Sequence, residues 1–171
     1  MGRLKSLMGM LGERRLGFRI DEQMQGTHRF LRDYPPGQVV AGTELPFSFD
    51  ASWGHRQLGR YLRPGSDFLL AELTGRVTAG GLCEDAPMSG ELQLRYFQDA
   101  TVRYTFEFEA SGGRMRYEGE KRGIRPWNLH RSHTTCFGTI TEVATGEPLS
   151  DSVVHFELGL LPSFLASLRP D

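Results

Sequence analysis

Cysteine is scarce in this sequence: Cys83 and Cys136 are the only two in 171 residues, too few for a disulfide framework and without metal-motif spacing. Each is expected in or beside the core as a small hydrophobe, with a single bridge between them left open. Neither sign of charge is in excess, since 20 basic residues face 21 acidic ones. That balance argues against a general nucleic-acid binder, whose footprint is basic. No apolar run approaches the roughly 18 residues of a membrane-spanning helix. The first residues carry basic side chains and a short, broken apolar stretch. They lack a continuous signal-peptide core and an Ala-x-Ala site, so a cytoplasmic location is expected. Catalytic signatures are missing too: no Gly-x-Ser-x-Gly elbow, no phosphate-binding Gly-x-x-x-x-Gly-Lys loop, no His-Glu-x-x-His, no Gly-x-Gly-x-x-Gly after a strand. No cofactor is implied.

Glycine, by contrast, is abundant, at 21 residues, where a chain of average composition carries about 7 %. Apolar and polar residues alternate with period two from about residue 17 onward, the mark of strands with one buried face. Val102, Tyr104, Phe106 and Phe108 point one way, while Arg103, Thr105, Glu107 and Glu109 point the other. Leu92, Leu94 and Tyr96 alternate in the preceding segment, with Gln98-Asp99 as a two-residue connection, and Ser111-Gly112-Gly113 makes the next turn. Eight strands are expected near 17–31, 44–52, 67–79, 88–97, 100–110, 114–121, 134–143 and 149–159. Several exceed the usual length of about 5–6 residues, and long twisted antiparallel strands tend to close. Gly26, Gly75, Gly90, Gly119 and Gly138 fall inside strand patterns, where glycine marks a bend or close backbone approach. The expected fold is all-β: an antiparallel, lipocalin-like barrel of about eight strands.

Short peripheral helices are expected near 55–62 and 161–168. Pro64-Gly65 ends the first, and Leu161, Phe164, Leu165 and Leu168 form an apolar stripe on the second. Leu4, Leu7, Met8 and Leu11 make a similar stripe among Arg3, Lys5, Arg14 and Arg15. Residues 1–16 therefore read as a terminal extension or helix, loosely docked or in peripheral contact with a membrane or partner through residues 3–15. Residues 17–171 read as one barrel domain.

The inward face carries the functional information. Leu45, Phe47, Phe49, Leu92, Leu94, Tyr96, Val102, Tyr104, Phe106, Phe108, Met115, Tyr117, Phe137 and Phe156 are all expected to line it. Eight strands enclose just enough room to be filled by side chains or to hold one small ligand. Both readings stay open. If a pocket exists, Phe47, Phe49, Tyr96, Tyr104, Phe106, Tyr117 and Phe137 are the candidate ligand-binding residues, with Tyr104, Tyr117, His28 or Trp53 at its mouth. Glu107, Glu109, Glu118 and Glu120 with Arg103, Arg114, Arg116 and Lys121 read as charge ladders on the outer wall. His130 and His133 would need further ligands to hold a metal, and no metal site is expected.

Several short motifs occur in a familiar order: Glu22-Gln-Met-Gln-Gly26, Leu45-Pro-Phe-Ser-Phe49, Gly75-Arg-Val-Thr-Ala79, Met88-Ser-Gly-Glu-Leu92, Arg103-Tyr-Thr-Phe106, Tyr117-Glu-Gly-Glu-Lys121 and Thr134-Thr135. Over roughly 21–157 this order resembles the β-rich accessory module of cholesterol-oxidase-like members of the glucose–methanol–choline flavin oxidoreductases. The oxidoreductase's flavin fingerprint is absent, so the resemblance implies an accessory role and transfers no oxidase activity. The leading expectation is a barrel that binds or presents an apolar molecule, a lipid or sterol, to a flavin oxidoreductase. Two alternatives stand beside it. One is a small barrel enzyme, an isomerase or cyclase of a lipid-like substrate, using Glu22, His28, His133 or Tyr117 as acid–base groups. The other is a ligand-free interaction module.

Overall fold

The computed structural model describes residues 17–65, 68–95, 97–123, 135–156 and 169–170. Eight antiparallel strands follow one another around a closed barrel: β1 Phe18–Phe30, β2 Glu44–His55, β3 Leu70–Ala79, β4 Cys83–Arg95, β5 Thr101–Ala110, β6 Gly113–Lys121, β7 Thr135–Glu142 and β8 Pro148–Phe156. Each pairs with its successor. β1 pairs with both β8 and β2, closing the ring and removing the exposed edges of an open sheet. A two-residue β9, Arg169–Pro170, lies along the start of β1.

The alternation that defines the strands also sets their faces. Val102, Tyr104, Phe106 and Phe108 of β5 are buried, while Arg103 and Glu109 are exposed. All eight expected strands are present, with informative differences at their ends. β2 continues to His55, so the helix expected over 55–62 shrinks to one turn, α1 Leu58–Tyr61. β4 starts at Cys83, ahead of the expected 88, because Pro87 faces outward opposite Arg76, and Arg76 is ion-paired to Asp85. Among the described residues the β4–β5 connection includes 97–100, more than the expected Gln98-Asp99. There Asp99 bonds back to Arg95 at 2.9 Å and Ala100 takes a φ of 55°. The helix expected over 161–168 and the extension over 1–16 lie outside the described residues. Cys83 and Cys136 are both free.

The strand glycines mark close approach of neighbouring groups. All five sit at inward-facing positions of the alternation. At Gly90 an added Cβ would lie 2.6 Å from the Phe106 Cα, and at Gly26 it would lie 2.7 Å from the Val154 Cα. The neighbouring strand's backbone occupies the space a side chain would need, which only glycine permits.

The two barrel ends differ. At the Tyr34 end the strand connections are short (80–82, 111–112, 143–147), except for 31–43, which folds inward as a plug. In that plug a 3₁₀ turn, Pro35–Gly37, follows Tyr34, which is buried against Gly37 and Gly112. At the Phe18 end the β2–β3 connection is long and carries α1, which packs Tyr61 against Phe18 at 4.8 Å between ring centroids.

Candidate functional site

The middle of the barrel is filled by aromatic rings. Phe47 and Phe49 reach across from β2 to meet Tyr117 of β6, on the opposite wall, with centroids 5.2 and 5.7 Å apart. Phe106 completes the cluster, 4.8 Å from Tyr117 and 5.2 Å from Phe49, and Tyr104 lies 6.0 Å from Phe49. Such offset and tilted pairs add to the burial each ring already contributes. Small residues make room for them. Gly119 and Gly138 face each other on β6 and β7, and the Tyr117 ring lies over both, where either Cβ would collide with it. Five of the seven candidate ligand residues, Phe47, Phe49, Tyr104, Phe106 and Tyr117, are thus brought together, chiefly in contact with one another. Tyr96 lies outside the described residues. Phe137 is placed differently from expectation: it is 52 % exposed on the outer face. Cys136 takes the inward position, and Gly138 then falls opposite Gly119 under the Tyr117 ring. The remaining expected interior residues that are described all face inward, Leu45 and Leu94 being half-buried.

The interior is not wholly apolar, which corrects the sequence reading. Lys121 belongs to the interior and not to the outer ladder. Its Nζ bonds Glu22 Oε2 at 3.2 Å, with both side chains at or below 5 % exposure. It also lies 4.9 Å from the centre of the Tyr104 ring and 5.8 Å from that of Phe156. On the outer wall Arg103 pairs with Glu120, Arg114 with Glu109, and Arg116 with Glu107 at 2.7–3.1 Å. The inward pointing of Lys121 was legible in principle, because Met115, Tyr117, Gly119 and Lys121 share one parity along β6. Glu22 likewise shares the parity of Met24, His28 and Phe30.

The other interior polar groups are mostly satisfied. His28 is buried toward the Tyr34 end; its Nε2–H donates to the Gly80 carbonyl at 3.0 Å, so Nδ1 accepts from the Ser150 hydroxyl at 2.9 Å. Burial holds its pKa below the ordinary histidine value, against the Gly80 bond, which raises it. Tyr117 hydroxyl lies 3.4 Å from Ser152 Oγ, which donates to it, and 3.5 Å from Cys136 Sγ. Burial pushes the Tyr104 and Tyr117 hydroxyls well above the usual tyrosine range, with the Glu22 charge adding to it at Tyr104. It also pushes the Cys136 thiol up to about 11. None of these three hydroxyl or thiol groups is ionised near neutral pH.

Two atoms at the Phe18 end break this pattern. Among the described residues, Glu22 Oε1 and Trp53 Nε1 are buried without a hydrogen-bond partner. In the β1–β2 register Ile20 faces Trp53 and Glu22 faces Ala51, which makes Glu22 and Trp53 diagonal neighbours on the inner wall. Half-buried apolar side chains, Phe18, Ile20, Leu58, Phe68 and Leu94, pack around the core here. A separate shallow depression of about 300 Å³ on the outer wall, bordered by Glu91, Glu107, Arg116 and Glu118, is charged and unsuited to an apolar ligand.

No family model matches this chain, and neither does any curated protein or solved structure. The barrel expected from the strand pattern is present; no family match supports the assignment to the oxidoreductase-associated module or to the lipocalins. Among the described residues no three His, Cys, Asp or Glu side chains cluster as metal ligands. His130 and His133 lie outside them.

Proposed function

We propose that the barrel binds a lipid-like molecule at its Phe18 end, polar head inward against Glu22 and apolar tail along Phe18, Ile20 and Leu94. The observation that carries this reading is the Glu22–Lys121 pair itself. A charged pair in a largely apolar interior costs several kcal/mol of desolvation per ion, and Glu22 Oε1 is left without a hydrogen-bond partner to offset it. The filled barrel centre limits the ligand to this end. Two apolar side chains stand on the rim as well: Phe97, 79 % exposed and stacked on Phe68, and Leu62, exposed just after α1.

Binding is favoured over catalysis by the state of two of the four acid–base candidates. Both nitrogens of His28 are occupied, and the Tyr117 hydroxyl is held protonated. The order of motifs shared with the oxidoreductase-associated module supports a flavin oxidoreductase as recipient of the bound molecule. Native mass spectrometry of the freshly purified full chain, with displacement of a fluorescent long-chain probe, tests the reading. A one-to-one adduct removed by solvent extraction is expected, with probe binding weakened by Ile20→Trp at the Phe18 end and unchanged by Val40→Trp on the exposed plug. Absence of both adduct and displacement overturns it.

A further inference from the structure

We infer that the head group recognised at the Phe18 end is neutral and both donates and accepts a hydrogen bond, as an alcohol or a primary amide does. This rests on the lipid-binding reading and deepens it. Glu22 Oε1 can only accept, and Trp53 Nε1–H can only donate. Both are buried, on adjacent strands, at diagonal positions of one inner wall. A buried donor and a buried acceptor that do not meet each other are each costly to leave unpaired, and a buried polar atom without a partner is uncommon enough in folded proteins to need a reason. A single group carrying an O–H or N–H for Glu22 and a lone pair for Trp53 answers both needs.

The same geometry discriminates against other heads. An ether or ester accepts from Trp53 but leaves the Glu22 oxygen bare. A carboxylate would bring a second negative charge beside Glu22. An alkylammonium would satisfy Glu22, but it offers no lone pair to Trp53 and places its charge near Lys121 Nζ, which already sits 3.2 Å from the other Glu22 oxygen. Loss of one such buried hydrogen bond corresponds to about tenfold or more in affinity.

Competition binding on the full chain with ligands sharing one twelve-carbon tail tests this: dodecanol and dodecanamide against dodecyl methyl ether, dodecylammonium and dodecanoate. The expected result is that the alcohol or the amide binds at least about tenfold tighter than the other three. Trp53→Phe, which keeps the ring against Phe18, is expected to shrink the margin of alcohol over dodecylammonium, and Glu22→Gln to shrink the margin of alcohol over carboxylate. If all five ligands bind within about threefold of one another, the unpaired atoms are served by water, and the head-group inference fails while the lipid-binding reading stands. If none binds, both fail. A preference that survives intact in both variants overturns the assignment of these two residues.

Discussion

Tyr117 shows how a single residue sets the packing around it. Its ring covers Gly119 and Gly138, touches Phe47, Phe49 and Phe106, and ends in the Ser152 and Cys136 contacts. A methyl at Gly138 must displace that ring within a packed core, where overpacking typically costs about 1–3 kcal/mol. Gly138→Ala is therefore expected to destabilise by that amount in urea denaturation, and the cost should fall sharply in a Tyr117→Leu background. An additive double-mutant cycle would show that the ring is not what fills the space. His28 supplies a second residue-scale effect. The unfolded chain takes up its proton near the ordinary value of 6.5, whereas the folded site resists it because burial lowers the pKa. The stabilisation is thus complete above about pH 6.5 and is lost as pH falls toward the lower folded value. A single group contributes at most about 1.4 kcal/mol per pH unit. Thermal melts should show the wild type losing more stability between pH 7 and pH 5 than His28→Gln does; equal losses would assign the acid sensitivity elsewhere. Neither role was visible beforehand. Tyr117 was legible as inward-facing and His28 as a polar group at a pocket mouth, but the partners that define them lie as far as 122 positions away.

Strand faces were the most legible feature, because period-two alternation depends only on which residues are apolar. Element ends were not, because they depend on contacts made after folding. α1 is one turn long because β2 pairing extends to His55 opposite Phe18, and the β4–β5 connection is lengthened by the Asp99 bonds. Phe137 could not be oriented from sequence, since Cys136 and Phe137 are both apolar and the alternation leaves the choice open there. The plug over 31–43 was missed for a related reason: it carries no periodicity, and its burial comes from the barrel end it enters. Its Tyr34 side chain is buried, yet among the described residues the hydroxyl has no hydrogen-bond partner. Removing that oxygen relieves a desolvation cost, whereas removing the ring opens a cavity. Tyr34→Phe is expected to be neutral or to stabilise by about 1 kcal/mol, and Tyr34→Ala to destabilise by about 3–5 kcal/mol. A clear loss in the phenylalanine variant, read from denaturation midpoints at constant slope, would mean the hydroxyl is bonded in solution.

At the scale of the whole molecule, the Glu22–Lys121 pair spans the barrel from β1 to β6 and links strands that do not neighbour each other. Two explanations compete: the pair holds the barrel together, or it is kept for what it recognises. They diverge in a double variant. Removing Lys121 alone strands a buried carboxylate, so Lys121→Met should cost about 3–5 kcal/mol under either explanation. Replacing both partners with apolar residues of similar size removes the desolvation cost with the attraction, and such exchanges are often neutral or stabilising. The Phe47–Phe49–Phe106–Tyr117 cluster already joins opposite walls, and the strand pairing closes the ring without help from charge. The double variant Glu22→Leu with Lys121→Met is therefore expected to be at least as stable as the wild type. It should still bind dodecanol through its tail, and its preference for dodecanol over the methyl ether should drop, because Trp53 serves both and only Glu22 separates them. Denaturation and competition binding on the same preparation read the two properties independently. A double variant that unfolds would make the pair structural; one that is stable and still prefers the alcohol would remove Glu22 from recognition.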